Sequence, residues 1–382
     1  MGGPLRVLHV VVNMNRGGAE TLIMNLYRNI DTEKVQFDFL TCKEGVFDAE
    51  ILAMGGKLHR IPYVTDTGHK SYQRDLKGFF TANPEYKIVH SHMDKMSGLV
   101  LGAAKKAGVP VRIAHSHNTE SEGGILTKVY KWYAGNLINL HATDYYACSE
   151  TAARWLFKGK SKKAFIMKNG IETDKFRFCQ KVRDTIRDEL QFDKDTLVIG
   201  HVGRFSPQKN HLYLIDVFAS INERIPDSVL LLAGDGPLKR KLKKKVEELK
   251  LDSKVMFLGV REDINKLLQA FDVFAFPSIH EGLPVTLVEA QGAGLPCFIS
   301  KAITKEVNMG IGLVKHLPIK DKARWIESII GLRSNNQSRI IPEDTLLKRG
   351  YDIRKTAEVI QSNYLSLGGM SYGKADGVHS YV

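Results

Sequence analysis

The residues best suited to chemistry are two cations in the second half of the chain. Arg204 and Lys209 lie in the segment GRFSPQKN, which directly follows the strand-like run 198–202. A guanidinium and an ammonium group at such a turn can neutralise a diphosphate, and arginine can bind two phosphate oxygens at once. Ordinary solvated surface charges are the alternative interpretation. The pair therefore indicates an anion site.

Two carboxylates follow in the segment HEGLPVTLVEA, with seven residues between Glu281 and Glu289. Gly282 and Pro284 open a helix there, since proline suits a first turn whose N–H groups have no partner. The free backbone N–H groups of that turn can bind phosphate. Glu289 falls among apolar neighbours, where a carboxylate is costly unless a group such as a ribose diol bonds to it. Glu281 is placed to hold sugar hydroxyls.

The first half of the chain carries paired glycines after its first strand-like run, 5–12. Gly17 and Gly18 precede a predicted helix, and small residues there let backbone N–H groups approach an anion. The pattern differs from the G-x-G-x-x-G fingerprint, so it does not support a nicotinamide dinucleotide site. A simple tight turn is the alternative.

The tripeptide His-Ser-His ends two further strands, at 90–92 and at 115–117. Residues two apart on a strand point the same way, so each pair can present two imidazoles to one space. No carboxylate or third histidine has a recognisable ligand spacing, which favours substrate contact or acid–base work over a metal site. Histidines satisfied by local hydrogen bonds remain the alternative.

Strand-like and helical runs alternate along most of the chain, which predicts the α/β class with two Rossmann-like, doubly wound parallel sheets. In such sheets ligands bind beyond the carboxyl ends of the strands, where the residues above lie. The strand candidates are 5–12, 37–41, 88–90, 112–115, 145–147, 198–202, 229–233, 255–257, 273–276 and 296–299. The helix candidates between them include 21–30, 212–224, 262–270 and 285–293.

Composition narrows the class of protein. A chain of 382 residues is long enough for two cores, and 43% hydrophobic with 25% charged residues is typical of a soluble protein. No signal sequence and no membrane-spanning run is apparent, so we expect a cytoplasmic protein. The net charge of +13 favours anionic ligands or surfaces. The four scattered cysteines predict buried free thiols rather than disulfides or a zinc site.

Four segments together resemble glycosyltransferase family four, whose members are retaining enzymes of the GT-B fold. They are GGAE, GRFSPQKN, AGDGPL and PSIHEGLPVTLVEAQGAGLP, and their order and spacing extend over nearly the whole chain. RIAHSHNT and AITKEV further resemble bacterial exopolysaccharide and capsule transferases of the EpsF type. The resemblance implies two domains facing a central cleft. We expect an acceptor domain at 1–170 with a crossover helix at 350–366, a donor domain at 171–349, and a disordered tail at 367–382.

The resemblance also implies roles for individual residues. The catalytic residues would be His117, Glu281, Arg204 and Lys209, with His115 as the competing alignment for His117. The donor-binding residues would be Gly17, Gly18, Gly203, Arg204, Lys209, Val260, Arg261, Glu281, Gly282, Leu283, Pro284 and Glu289. Within this set, Val260 and Arg261 would meet the base, and Glu289 the ribose. The segment 301–306 departs from the paired-glycine loop of many members, so that side of the sugar pocket is expected to differ.

The expected activity is transfer of a hexose or N-acetylhexosamine from a UDP-sugar to a growing, lipid-linked exopolysaccharide or capsule oligosaccharide. No metal and no cofactor is expected, since the UDP-sugar is a substrate. A sugar-nucleotide epimerase of the same fold and a non-catalytic sugar-nucleotide-binding subunit remain open. A nucleic-acid partner is not expected, because the chain lacks a recognised binding motif.

A peripheral position on the inner face of the cell membrane is a further expectation. The basic segment 158–163 follows Trp155, Leu156 and Phe157, and basic residues beside aromatic ones suit an anionic membrane surface. A helix that packs this apolar side inward is the alternative.

Overall fold

The computed structural model describes residues 3–121, 123–334, 339–342 and 344–369. The chain divides into two compact units. The first unit combines Met1–Lys168 with Ile353–Val382, and the second is Asn169–Asp352. The first unit is therefore built from two separate stretches of chain. Most of the expected tail, residues 370–382, lies outside the described residues.

In its described residues the first unit contains a seven-stranded parallel sheet with the order β3-β2-β1-β4-β5-β6-β7. Elements are numbered along the chain. The strands are β1 Leu5–Val10, β2 Val35–Thr41, β3 Leu58–Arg60, β4 Ile88–Ser91, β5 Val111–Ser116, β6 Asp144–Ala147 and β7 Phe165–Ile166. The helices are α1 Gly18–Asn29, α2 Asp48–Ala53, α3 Val64–Ala82, α4 Ser97–Lys106, α5 Ile125–Asn136, α6 Ile138–His141, α7 Glu150–Phe157 and, from the second stretch, α16 Ile353–Leu367. Short 3-10 helices lie at Asp94–Met96 and Lys158–Lys163.

The helix α16 completes the core of the first unit. Its apolar side chains recur every three or four residues, which puts them on one face of a helix. Ile353, Ala357, Ile360 and Tyr364 on that face are all fully buried in the same core cluster as β1 and β2. Burial of such side chains contributes about 1.5–3 kcal/mol for each large one, so α16 is part of the hydrophobic core.

The second unit contains, in its described residues, a six-stranded parallel sheet with the order β10-β9-β8-β11-β12-β13. Its strands are β8 Leu197–Val202, β9 Ser228–Ala233, β10 Val255–Gly259, β11 Val273–Phe276, β12 Cys297–Ser300 and β13 Val314–Leu317. Its helices are α8 Thr173–Phe176, α9 Gln180–Glu189, α10 His211–Arg224, α11 Lys239–Glu248, α12 Ile264–Ala270, α13 Val285–Gly292, α14 Lys322–Ile330 and α15 Thr345–Lys348. Short 3-10 helices lie at Pro207–Lys209, Lys305–Val307 and Gly331–Ser334.

Several expectations about local structure are settled here. The basic helix α11 buries Leu242 and Val246 and leaves its lysines outside, as a solvated face should. The four cysteines are free, but only Cys148 and Cys297 are buried, so the expectation of buried thiols was wrong for the other two. Among the described residues, no helix combines the length and apolar character needed to cross a bilayer.

Candidate active site

The cations and carboxylates of the second unit meet at one edge of its sheet. The strand order reverses between β8 and β11, and a reversal of this kind opens a crevice at the carboxyl ends of the strands. The segment 203–209 follows β8, and the segment 277–284 follows β11. A backbone bond from Ile279 N–H to Gln208 O, 2.8 Å, joins the two segments. The topology thus brings together residues that are about seventy positions apart in sequence.

Lys209 and Glu281 form an ion pair at this edge. The Lys209 Nζ donates to Glu281 Oε1 over 2.7 Å, and the two side chains are only 15% and 9% exposed. The ammonium also lies 4.7 Å from the centre of the Phe276 ring. Gly203 makes room for the lysine, because a Cβ there would lie 3.3 Å from Lys209 Cε. The ammonium is therefore held in place, with further N–H donors available for a ligand.

Arg204 is the exposed cation of the same turn. Its guanidinium has no hydrogen-bond partner among the described residues, while the next residue, Phe205, is fully buried and anchors the turn. The segment AGDGPL supports the turn from β9, since Gly234 has φ +141° and a Cβ there would lie 2.1 Å from Gly203 O. Arg204 is thus free to bind an anion from a fixed backbone position.

The amino end of α13 has no side-chain cap among the described residues. Asn169, which is buried, donates from Nδ2 to the Leu283 carbonyl over 2.6 Å and so holds the preceding loop. The hydroxyl oxygens of Ser278 and Thr286 are inaccessible to solvent and have no partner in the described part of the chain. These two hydroxyls are too deeply buried to touch a ligand in this structure, so a phosphate or a sugar hydroxyl would bind the backbone N–H groups of this helix end.

Glu289 lies one turn further along α13 and is half-buried. No described residue bonds to its carboxylate. Burial raises the pKa of Glu289 to about 7, because the apolar surroundings disfavour the charged form. Burying the Glu289 carboxylate therefore costs stability, as expected, and no side chain in the described part of the chain offsets that cost.

The segment expected to meet the base follows β10 at the edge of the same sheet. Val260 is 55% exposed, whereas Arg261 donates from Nε to Asp263 Oδ1 over 2.7 Å. Because the guanidinium of Arg261 is already paired, any contact with a base from this residue would come from its backbone.

The first unit has its own strand reversal, between β1 and β4. Gly17 is the residue before α1, and Gly18 is its first residue. A Cβ on Gly17 would lie 2.2 Å from Glu20 Oε2, whereas nothing lies within 4 Å of one on Gly18. The Glu20 carboxylate therefore occupies the Gly17 side of this helix end, and an anion would have to approach from the Gly18 side.

The paired histidines lie at the carboxyl ends of β4 and β5 in the same unit, with His90 and His115 inside the strands and His92 and His117 just after them. Residues two apart do share a face, since the ring centres are 4.2 Å apart for His90 and His92 and 3.9 Å apart for His115 and His117. His115 is fully buried, whereas His117 is half-buried. Of the two competing residues, His117 is thus the one that can touch a ligand in this structure.

Comparisons with known proteins decide the family. The family model described as Glycosyltransferase Family 4 matches residues 16–175, and the one described as Glycosyl transferases group 1 matches residues 182–331. EpsF of Bacillus subtilis is 40% identical over 369 residues, which are 94% of this chain and 96% of EpsF. The chain belongs to glycosyltransferase family 4.

Other relatives agree with this assignment. One relative is the UDP-Gal:alpha-D-GlcNAc-diphosphoundecaprenol alpha-1,3-galactosyltransferase of Escherichia coli. The two sequences are 29% identical over a region that includes 95% of this glycosyltransferase and 97% of the relative. The crystal structure of Anabaena HepE in complex with UDP aligns with a TM-score of 0.76 at 20% identity, over 94% of this chain and 100% of HepE. Sucrose-phosphate synthase from Thermosynechococcus elongatus also aligns with a TM-score of 0.76, at 16% identity, over 96% of this chain and 100% of the synthase chain. The fold is GT-B, with two Rossmann-like domains.

Several residues of the glycosyltransferase were not found by sequence reasoning. Asn169 and Gln208 hold the loop before α13 through bonds to carbonyl groups, the second from Gln208 Nε2 to His280 O over 2.8 Å. His9 and Tyr364 join the histidines of the first unit. The signal for His9 was its place in a buried strand, where a lone histidine needs a partner.

Proposed function

We propose that this glycosyltransferase moves a hexose or N-acetylhexosamine from a UDP-sugar to a growing, lipid-linked exopolysaccharide or capsule oligosaccharide, with retention at the anomeric carbon. The observation that carries the proposal is the arrangement in the second unit. An ion-paired Lys209 lies at the carboxyl edge of one sheet together with Arg204 and the amino end of α13, neither of which bonds to a side chain in the described part of the chain. Such a set can bind a diphosphate and leave Glu289 for the ribose.

In this mechanism the residues at the strand ends stabilise the departing nucleotide. The bond from the anomeric carbon to the diphosphate breaks, and negative charge grows on the leaving oxygen. Fixed positive groups aimed at such a charge usually supply the largest catalytic contribution. Lys209, Arg204 and the end of α13 fill that role, so we propose that the reaction needs no metal.

The proposal of retention comes from the resemblance to the retaining enzymes of family four, and the state of Glu281 bears on how retention is achieved. A carboxylate that accepts from Lys209 over 2.7 Å is a weak nucleophile, because the ammonium stabilises its charge. The acceptor hydroxyl therefore attacks on the face that the diphosphate leaves, and its proton passes to the departing phosphate oxygen. Glu281 instead accepts hydrogen bonds from the transferred sugar.

The names of relatives support the choice of substrates. The Escherichia coli relative is named for UDP-galactose as donor and for a diphosphoundecaprenol-linked acceptor. A relative of 26% identity in Staphylococcus aureus, CapH, is named for capsular polysaccharide biosynthesis. The first name supports a nucleotide-sugar donor and a lipid-linked acceptor, and the second supports a role in capsule synthesis.

A panel of nucleotide sugars tests the donor. We expect one UDP-sugar to raise the thermal midpoint of the full chain, since ligand at 100 times its Kd contributes about 2.7 kcal/mol of stability. The matching GDP- and ADP-sugars are the controls and should have less effect. UDP release in the presence of lipid-linked acceptor then measures turnover. No stabilisation by any UDP-sugar would contradict the proposed donor.

Membrane attachment is the second part of the proposal, and α5 is the surface that supports it. Its outward apolar side chains include Ile125 and Leu126, which are 82% and 87% exposed. Trp132 of the same helix lines a groove of about 280 Å³ together with Trp155, Lys95 and Lys158. An apolar face with tryptophan and lysine at its margin suits an anionic bilayer surface.

This surface differs from the one suggested by the sequence. Leu156 and Phe157, which precede the basic segment Lys158–Lys163, are buried, so α7 packs that side inward as the alternative interpretation held. We therefore propose that α5 makes the apolar contact with the membrane, and that the basic segment Lys158–Lys163 adds positive charge that attracts anionic lipids.

Replacing Leu126 with aspartate is expected to weaken binding to vesicles of anionic phospholipid by about tenfold or more, because burying a leucine is worth about 1.5–3 kcal/mol. Co-sedimentation measures the effect. The matched control is Leu52→Asp, which changes an apolar side chain of the same unit that is 56% exposed on α2. Equal loss in both variants, or none in Leu126→Asp, would remove α5 as the membrane contact.

A further inference from the structure

The first unit contains a cluster of imidazole rings at the carboxyl end of its central strands. Its members are His9, His90, His92, His115, His117 and the phenol of Tyr364. Two hydrogen-bonded chains run through it. One joins His9, His92 and His117, and the other joins Tyr364, His90 and His115.

The sheet itself brings these rings together. His9 of β1 lies opposite His90 of β4 in the parallel register, and α16 supplies Tyr364 from the end of the chain. The side chain of His92 lies beside His90 because alternate residues share a face. The rings are therefore stacked across neighbouring strands, with the centre of His92 5.2 Å from that of His9 and 5.1 Å from that of His117.

The distances between nitrogens indicate hydrogen bonds rather than metal ligation. His9 Nδ1 lies 2.9 Å from His92 Nε2, and His92 Nδ1 lies 2.8 Å from His117 Nε2. Two triads, His9 with His90 and His92, and His92 with His115 and His117, are compact enough to consider a metal ion. Ligand nitrogens of a tetrahedral zinc site would be about 3.3 Å apart, since each lies 2.0–2.1 Å from the ion. Separations of 2.8–2.9 Å place one proton between each pair of rings.

A chain of neutral imidazoles has a direction. Each neutral ring carries one proton. If His117 is protonated on Nε2, it donates to His92 Nδ1, and His92 must then carry its own proton on Nε2. If the bond runs the other way, His117 and His92 both carry their protons on Nδ1. The inner end of the chain is closed, because His9 Nε2 is inaccessible to solvent and has no partner among the described residues. His9 therefore cannot pass a proton to another group, so the chain of rings does not serve as a proton path. Its effect is to orient His117.

We propose that His92 and His9 are positioning residues for His117, whose ring orientation and tautomer they set through the two N–H···N bonds. This inference rests on the proposed function and adds to it that His117, the half-buried histidine of the pair, contacts a hydroxyl of the donor sugar or the acceptor. Held in this way, His117 offers its Nδ1 to that hydroxyl in one defined protonation state.

The groups around the chain are consistent with neutral rings. Burial lowers the pKa of His9 and of His117 to about 3, because desolvation disfavours the charged ring. The carboxylates near the chain are otherwise engaged. Asp38 accepts from Arg6, and Asp94 Oδ1 accepts from the His117 backbone N–H over 3.2 Å. The other titratable groups that face the cluster are Tyr146 and Tyr364, whose pKa values burial raises.

Two substitutions of His92 separate positioning from packing. The amide of asparagine reaches the place of an imidazole Nδ1 but not that of Nε2. His92→Asn therefore keeps a partner for His117, whereas His92→Phe fills the space without one. We expect His92→Phe to lower kcat by about tenfold or more, as is usual when the group that orients an active-site imidazole is lost, with little change in the donor KM. His92→Asn should recover most of kcat.

The matched control is His90→Phe. His90 lies two residues earlier with similar burial, but its bonds go to Tyr364 and His115. His90→Phe should lower the thermal midpoint as much as His92→Phe does while kcat stays within about threefold of wild type. Equal kcat losses in His90→Phe, His92→Phe and His92→Asn would assign the cluster to stability alone and overturn the proposal.

Long-range ¹H–¹⁵N spectra of histidine-labelled full-length protein give a readout that does not depend on activity. The expected result is a single neutral tautomer of His117 between pH 5.5 and 8, which becomes a mixture in His92→Phe and stays single in His90→Phe. This result would hold even if no UDP-sugar proved to be a donor. A mixture in wild type, or stoichiometric Zn²⁺ binding that His92→Phe abolishes, would overturn the proposal.

Discussion

Replacing Lys209 with alanine is expected to lower kcat/KM for the UDP-sugar by about a hundredfold or more, since loss of one fixed group that stabilises a developing negative charge typically costs that much. The ammonium lies at the carboxyl edge of the sheet and is held there by Glu281 and Phe276. Initial rates of UDP release over a range of donor concentrations measure the effect.

The change also leaves Glu281 without its partner, which needs a control. A nearly buried carboxylate that loses its cation costs about 3–5 kcal/mol, so Lys209→Ala should lower the thermal midpoint as well. Lys209→Ala with Glu281→Gln should restore stability, but its rate should stay far below that of Glu281→Gln alone. Lys245→Ala removes a more exposed ion pair, to Asp216 at 2.6 Å, and should keep near-normal activity. A double variant as active as Glu281→Gln alone would show that Lys209 acts through folding alone.

Replacing Glu289 with glutamine is expected to stabilise the protein while it weakens donor binding. The pKa of Glu289 is raised from about 4.5 to about 7 by burial. The protonated form is therefore favoured in the folded state, and stability is full below the unfolded pKa and is lost as pH rises through about 7. Glu289→Gln should gain up to about 3 kcal/mol at pH 8, from about 1.4 kcal/mol for each pKa unit, and less than about 1 kcal/mol at pH 5. Thermal midpoints at the two pH values measure it.

Donor binding should change in the opposite direction. A ribose diol donates two hydrogen bonds to an ionised carboxylate, so the Kd for the UDP-sugar should fall as pH rises from 6 to 8 in wild type. In Glu289→Gln the affinity should be weaker by about tenfold or more and independent of pH, because hydrogen bonds to a charged group are worth about 1.5–3 kcal/mol. Glu247→Gln, on the solvated face of α11, is the control. An unchanged Kd in Glu289→Gln would exclude it from the donor site.

The sequence was most informative about the buried strands. Every central strand was located within three residues, because runs of β-branched and aliphatic residues are hard to place elsewhere in an α/β protein. The edge strands β3, β7 and β13 were missed, whereas the edge strand β10 was located. The three missed strands have two to four residues and are largely not buried, so their pairing with a neighbour, rather than their own composition, makes them strands.

The candidate site could be predicted as a set of residues but not as a set of contacts. Arg204, Lys209 and Glu281 were selected because ligands bind beyond the carboxyl ends of parallel strands, and Glu289 because a carboxylate among apolar neighbours needs a partner. That Lys209 bonds to Glu281 follows from the adjacency of β8 and β11, which only the folded sheet fixes. Asn169 was missed for the same reason, since its partner is a carbonyl 114 positions away.

Helical periodicity also failed to identify the exposed face of α5. An apolar stripe at helical spacing predicts a helix, but it cannot say whether the stripe faces the core or the solvent. In α7 the stripe faces inward, whereas in α5 the side chains of Ile125, Leu126 and Val129 face outward. The difference depends on which neighbouring elements are present to cover the helix.

The origin of α16 has a consequence for synthesis on the ribosome. Asn169–Asp352 is one uninterrupted stretch, whereas the core of the first unit needs Tyr364, whose hydroxyl bonds to His90 from 274 positions away. Domains fold as units once all their residues have left the ribosome. The second unit can therefore fold before the first unit, because the first unit still lacks α16 at that stage. Closing that long loop comes last, and until then a groove beside β1 and β2 is uncovered. We expect nascent chains that stop before residue 353 to need a chaperone.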